Sequence, residues 1–157
     1  MCNLYGDADF FLHDTRYVFP GYAIPLLIIA SIWINDTMAY IVGSLIGKTP
    51  LSKVSPRKTW EGTIGGIILC VGVIGLIMYY GFNSGSITIF IMILASIASI
   101  AGTFGDLLES KLKRMAGIKD SGSFMPGHGG FLDRFDSMLL ATPAVWLYIA
   151  LFMVVKL

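Results

Sequence analysis

Charge is scarce in this chain. Asp, Glu, Lys and Arg make up 13% of its 157 residues, about half the share usual in a soluble globular domain. Cysteine is scarcer, with Cys2 and Cys70 alone. Two thiols, one near a terminus and one inside an apolar run, cannot make a metal site by themselves, and Cys70 reads as a small packing residue. There is no internal repeat and no low-complexity tract, which excludes a solenoid or a linker-like chain. The net charge is +1, so nothing points to a nucleic acid as partner.

What fills the sequence is hydrocarbon: 55% hydrophobic residues and a mean hydropathy of +0.76. Runs of roughly 18 apolar residues are needed to cross a membrane, and residues 62–82, 87–105 and 138–155 qualify. A fourth run, 23–45, is interrupted by Asn35, Asp36 and Thr37. The expectation is an all-α integral membrane protein of about four transmembrane helices, a single membrane domain with residues 1–22 as an N-terminal segment and 23–157 as the transmembrane region. None of the runs reads as a signal peptide, because the first follows an acidic stretch with Asp7, Asp9 and Asp14. Glycines 62, 65, 66, 72 and 75 are expected at close helix contacts. Pro143 starts or kinks the last helix, and Trp146, Tyr148 and Phe152 form lipid-facing or packing surface.

Charge, where present, is clustered. Of eleven Lys and Arg, nine fall in two connections: Lys48, Lys53, Arg57 and Lys58 in one, Lys111, Lys113, Arg114, Lys119 and Arg134 in the other. If the spans alternate, both lie on one side, and the positive-inside rule makes that side cytoplasmic. The turn at 83–86 carries no charge.

Three groups carry chemistry. Asp36, in WINDTMAY, lies in an otherwise apolar run, where a carboxylate marks a site or a buried pair unless the span ends early. The segment GKTPLSKVSPRKTWEG, residues 47–62, interleaves cations with Thr49, Ser52, Ser55 and Thr59, a set suited to an oligophosphate, or else a topology signal that also touches anionic lipid headgroups. It is no P-loop, since Val42 stands where the first glycine belongs. In GTFGDLLESKLKR, Asp106, Glu109 and Lys113 repeat at helical spacing, which predicts that the third helix continues past the membrane. Asp133 and Asp136 share a face if their segment is helical, and carboxylates beside a phosphate-binding surface are what a Mg²⁺ site needs. His128, in PGHGG, could donate to a phosphate or move a proton.

The run SKLKRMAGIKDSGSFMPGHGGFLDRFDS, from Ser110, closely resembles the signature of the phosphatidate cytidylyltransferases, or CDP-diacylglycerol synthases. Ser110, Lys113, Arg114, Lys119, Asp120, Gly122, Pro126, His128, Gly129, Gly130, Asp133, Arg134 and Asp136 stand in the family's spacing, with WINDTMAY, SPRKTWEG and GDLLESKLKR upstream in the expected order. The resemblance covers about residues 31–140, the catalytic C-terminal half of all-helical membrane enzymes that usually carry several further helices ahead of it. It implies attack of a phosphatidate phosphate oxygen on the α-phosphorus of CTP, giving CDP-diacylglycerol and pyrophosphate.

The resemblance further implies a two-cation centre containing Mg²⁺, held by Asp106 and Asp133, with Asp136 and His128 also catalytic. Ser55, Arg57, Lys58, Lys113, Arg114, Lys119 and Arg134 are expected to bind CTP or the lipid phosphate, and Asp36, Glu61 and Asp120 to support them. The expected partners are CTP, phosphatidate or a related lipid phosphate, membrane lipid and a second copy in a homodimer, since four helices enclose little volume. Ser44 stands where many members of the family have a basic residue, and Met125 where leucine, isoleucine or phenylalanine is usual. The alternatives are an inactive remnant or interaction protein of the same family, and a transporter fragment with Asp36 as its intramembrane site.

Overall fold

The computed structural model describes residues 22–52, 55, 58–82, 85–118 and 132–156, with the backbone alone at 82, 86, 132–134 and 153–156. Four helices follow in order: α1 (Ala23–Ile46), α2 (Trp60–Phe82), α3 (Gly85–Met115) and α4 (Leu132–Lys156). No strand occurs among the described residues, only an isolated antiparallel bridge between Pro50 and Thr59.

All four helices are long and apolar enough to cross a membrane. The protein is a multi-pass integral membrane protein. At a rise of about 1.5 Å per residue, the 24 residues of α1 reach roughly 36 Å, enough for a hydrocarbon core of ~30 Å. The 31 residues of α3 reach roughly 46 Å, so this helix outruns the core. Its surplus is the charged end, with Asp106, Glu109, Lys111, Lys113 and Arg114, which hydropathy alone would assign to a loop. Likewise α4 begins at Leu132, ahead of its apolar run, and passes through Pro143 without ending.

The end of α3 is set by its last residues. Gly117 has a φ of 71°, its N–H donates to the Arg114 carbonyl at 3.1 Å, and the Ile118 N–H reaches back to Lys113 O at 3.0 Å. This pair of bonds is a Schellman closure, which favours a glycine in the left-handed region. Gly117→Val should cost about 1–2 kcal/mol, read as a lower melting temperature in detergent, whereas Gly117→Asn should keep most of it.

Helix α1 packs mainly on α2, α2 on α3, and α3 on α4. The first contact depends on absent side chains. A methyl group on Gly62 would lie 2.7 Å from the Ala39 carbonyl oxygen and 2.9 Å from Gly43 Cα, and one on Gly66 2.9 Å from the Asn35 carbonyl. Gly65 meets Val42 and Gly75 meets Met92 in the same way, but Gly72 has nothing within 4 Å, so close packing accounts for four of the five glycines in α2. Leu94, Ala98, Ala141 and Val145 form the centre of the core. Tyr148 and Phe152 meet Phe90 in tilted ring contacts, while Trp146 points outward.

A polar seam crosses this apolar interior. Asn35 Nδ2 donates to Thr103 Oγ1 at 3.3 Å, Thr103 to the Ser99 carbonyl at 2.9 Å, Ser99 Oγ to Cys70 Sγ at 3.4 Å, and Cys70 to the Ser31 carbonyl at 3.2 Å. The Thr103 bond lies within α3; the other three run between helices, each worth of order 1 kcal/mol. The seam joins α1, α2 and α3, and Cys70 serves it as more than apolar filling.

Candidate active site

Lys58 owes its position to how the α1–α2 connection folds. Gly47 closes α1, its N–H donating to Gly43 O at 3.0 Å, and the chain then doubles back: Leu51 N–H donates to the Lys58 carbonyl at 2.7 Å and Trp60 N–H to the Thr49 carbonyl at 3.0 Å. Thr59 Oγ1 accepts from the Gly62 N–H at 3.2 Å and so caps α2. The Glu61 carboxylate accepts from the backbone N–H groups of Lys48 and Thr49, each at 3.3 Å, and from the Thr49 hydroxyl.

The hydroxyls of Thr49 and Thr59, which the sequence offered to a phosphate, are therefore engaged in holding the connection. Thr59→Ala should cost about 1 kcal/mol of stability and Thr59→Ser very little, checked by thermal melts of the two variants.

From this connection Lys58 Nζ reaches Asp106 Oδ2 as an ion pair. Asp106 sits on α3 beside Gly105, where a methyl group would lie 2.6 Å from the Asp136 carbonyl oxygen. That backbone contact draws the start of α4 against α3. As a result Asp106, Glu109 and Asp136 each present a carboxylate oxygen within 4.8 Å of the others. Asp136 Oδ1 accepts from the Ser137 N–H at 2.6 Å and its hydroxyl at 3.2 Å, which orients it. Glu109 is buried, and Lys113, one turn on, lies 3.3 Å from its Oε1.

The contacts at Lys58 and Gly105 also bring the facing ends of all four helices to one end of the bundle.

Charge is crowded here. At an effective dielectric of about 20, two carboxylates 4.8 Å apart repel by roughly 3 kcal/mol. Two ammoniums answer three carboxylates. Burial pushes the Lys58 amine below its ordinary value of 10.5, while the charges of Asp36 and Asp136 pull it back up. An all-carboxylate oxygen set around one point suits a hard divalent cation, which would cancel the residual repulsion.

A family model described as the cytidylyltransferase family matches residues 1–152. The chain belongs to that family. Among its curated relatives, it is 43% identical over 133 residues to the phosphatidate cytidylyltransferase of Synechocystis sp., covering 83% of this chain and 44% of the relative. It is 48% identical over 114 residues to that of Staphylococcus haemolyticus, covering 71% and 43%. It is 40% identical over 130 residues to phosphatidate cytidylyltransferase 4, chloroplastic, of Arabidopsis thaliana, covering 82% and 33%. The chain thus spans less than half the length of these three relatives.

Set on this cytidylyltransferase framework, the residues singled out from sequence fall into three groups. Asp106, Asp136, Lys58 and Lys113 come together at the carboxylate cluster. Asp36, inside α1 and exposed, contributes its charge to Lys58. Glu61 holds the connection rather than touching the cluster, and Ser55 accepts from the Lys58 N–H through its carbonyl at 3.2 Å. Arg114 is exposed on the last turn of α3.

Asp133 and Arg134 lie in the first turn of α4, with side chains outside the described residues, and Arg57, Lys119, Asp120 and His128 lie outside them altogether. Glu109 is the addition. Its spacing from Asp106 and Lys113 was visible in the sequence; its burial among carboxylates was not.

Proposed function

We propose that this chain carries the nucleotidyl-transfer centre of a CDP-diacylglycerol synthase: an oxygen of a lipid phosphomonoester bonds to the α-phosphorus of CTP, and the bond to the β-phosphate oxygen breaks to release pyrophosphate. The convergence of Asp106, Glu109 and Asp136 on one point, with Lys58 against them, carries this reading. Asp106, Asp136 and Asp133 would hold Mg²⁺, and when bound the cation would neutralise phosphate charge and polarise the reacting phosphorus. A second cation is part of the same reading.

The protein's own groups do the rest. Phosphoryl-type transfer is governed by in-line positioning and charge neutralisation rather than by a protein nucleophile. Lys58 pairs with Asp106 in the resting site and is placed to exchange that carboxylate for a phosphate oxygen. Lys113, Arg114, Lys119 and Arg134, with Ser55 and Arg57, supply further donors for CTP and the lipid phosphate. His128 orients a phosphate, and Asp36, Asp120 and Glu61 support the cations and the connection. The basic connections face the cytoplasm, where CTP is found, and two copies side by side would enclose the substrates better than one.

The test is transfer of label from cytidine-labelled CTP into organic-extractable lipid by the purified chain with phosphatidate and Mg²⁺, beside an Asp133→Ala variant and an EDTA-treated sample. Label that appears with the unmutated protein alone supports the reading. Its absence from folded protein, over several lipid phosphates, identifies an inactive member of the family.

A further inference from the structure

On the opposite side of α3 from the carboxylates lies a groove of about 320 Å³, lined by Ser52, Phe104, Leu107, Leu108, Lys111 and Leu140. Its place follows from helical spacing. Asp106, Glu109 and Lys113 stand at i, i+3 and i+7 and share one face; Phe104, Leu108 and Lys111 stand at i, i+4 and i+7 and share another. Two lysines only two residues apart therefore serve different surfaces. Lys113 turns to Glu109, at 3.3 Å, whereas Lys111 heads an apolar trough.

The trough's chemistry is that of a divided ligand. Its floor and walls are hydrocarbon, with Phe104 61% and Leu108 48% exposed, on a helix long and apolar enough to span the bilayer. Its upper end carries an exposed ammonium and the Ser52 side chain from the α1–α2 connection. From Phe104 to Lys111 the helix rises about 10 Å, so hydrocarbon and cation are stacked along the membrane normal. A nucleotide would leave the apolar walls unmatched, and a zwitterionic lipid would bring its own cation up to Lys111.

We propose that this groove is a lipid site separate from the reaction centre, occupied by an anionic glycerophospholipid of the surrounding leaflet, with one acyl chain along Phe104, Leu107, Leu108 and Leu140 and its phosphate at Lys111. The site requires that the helices span a bilayer; it does not require cytidylyl transfer.

The experiment uses the full chain in phosphatidylcholine vesicles holding a trace of phosphatidylglycerol with a photoreactive group in mid acyl chain, against phosphatidylcholine carrying the same group. Cross-linked positions are mapped by peptide mass spectrometry. One lysine near a membrane surface favours an anionic lipid by about fivefold, so the anionic probe should label the region of residues 104–111 and Leu140 about fivefold more than the neutral one. Lys111→Gln should remove that excess while leaving labelling at the exposed Trp33 of α1 unchanged. Equal labelling by both probes in the unmutated protein, or an excess that survives Lys111→Gln, would overturn the proposal. No CTP is present, so a failed transfer assay and an unselective groove are separate results.

Discussion

Asp106→Asn should abolish most cytidylyl transfer while leaving the fold in place. The substitution keeps shape and volume at a half-buried position, but it removes the charge of one of three carboxylates whose oxygens lie within 4.8 Å of each other, and with it the partner of Lys58. Losing one electrostatic element of a preorganised site costs about 10²–10³-fold. Asp106 meets both the candidate cation and the ammonium, so the loss should lie at or above about 10³-fold, measured as initial rate in the labelled-CTP assay.

Stability should move the other way or hardly at all. Repulsion within the cluster falls as the Lys58 pair is lost, and the two changes offset to within about 1 kcal/mol. A melting temperature close to that of the unmutated protein, beside a collapsed rate, separates a functional carboxylate from a structural one. A large drop in both would mean that the cluster chiefly holds α3 to α4.

Gly105→Leu is expected to do the reverse, damaging packing first and chemistry as its consequence. A Cβ at this position would meet the Asp136 carbonyl oxygen at 2.6 Å and Ser137 Cα at 3.1 Å. Both are backbone atoms, so no rotamer change relieves the clash and α4 must move away. Overpacking of this kind costs about 1–3 kcal/mol. Asp136 is carried outward with the backbone, and a displacement of about 1 Å can cost 10²-fold in rate. Melting temperature and transfer rate should therefore fall together. Gly72→Leu, at a position with nothing within 4 Å, provides the matched control and should leave both nearly unchanged.

The spans were legible in the sequence because hydropathy reports burial in hydrocarbon directly. Their ends were less so. The apolar run of the last span starts at Met138, but α4 starts at Leu132: a helix continues as long as its hydrogen bonds do, whatever the polarity of its side chains. The Asp106, Glu109 and Lys113 periodicity did announce the extension of α3.

Pairs across the fold could not be read in the same way. The Lys58–Asp106 contact depends on a connection that doubles back at Pro50 and Thr59, and the approach of Asp136 depends on a side chain that Gly105 lacks. Neither leaves a periodic trace. Thr49 and Thr59 show the converse failure, since hydroxyls suited to a phosphate are equally suited to cap a helix or meet a carboxylate.

The length of α3 fixes more than a protruding tip. Its carboxylates stand just beyond the apolar run, at the membrane–water boundary. On the proposed function, a lipid substrate is met by lateral diffusion without leaving its neighbours, while the nucleotide arrives from bulk water. One reactant is counted per unit area and the other per unit volume, and for the lipid, its share of the leaflet rather than its total amount sets how often the centre is filled.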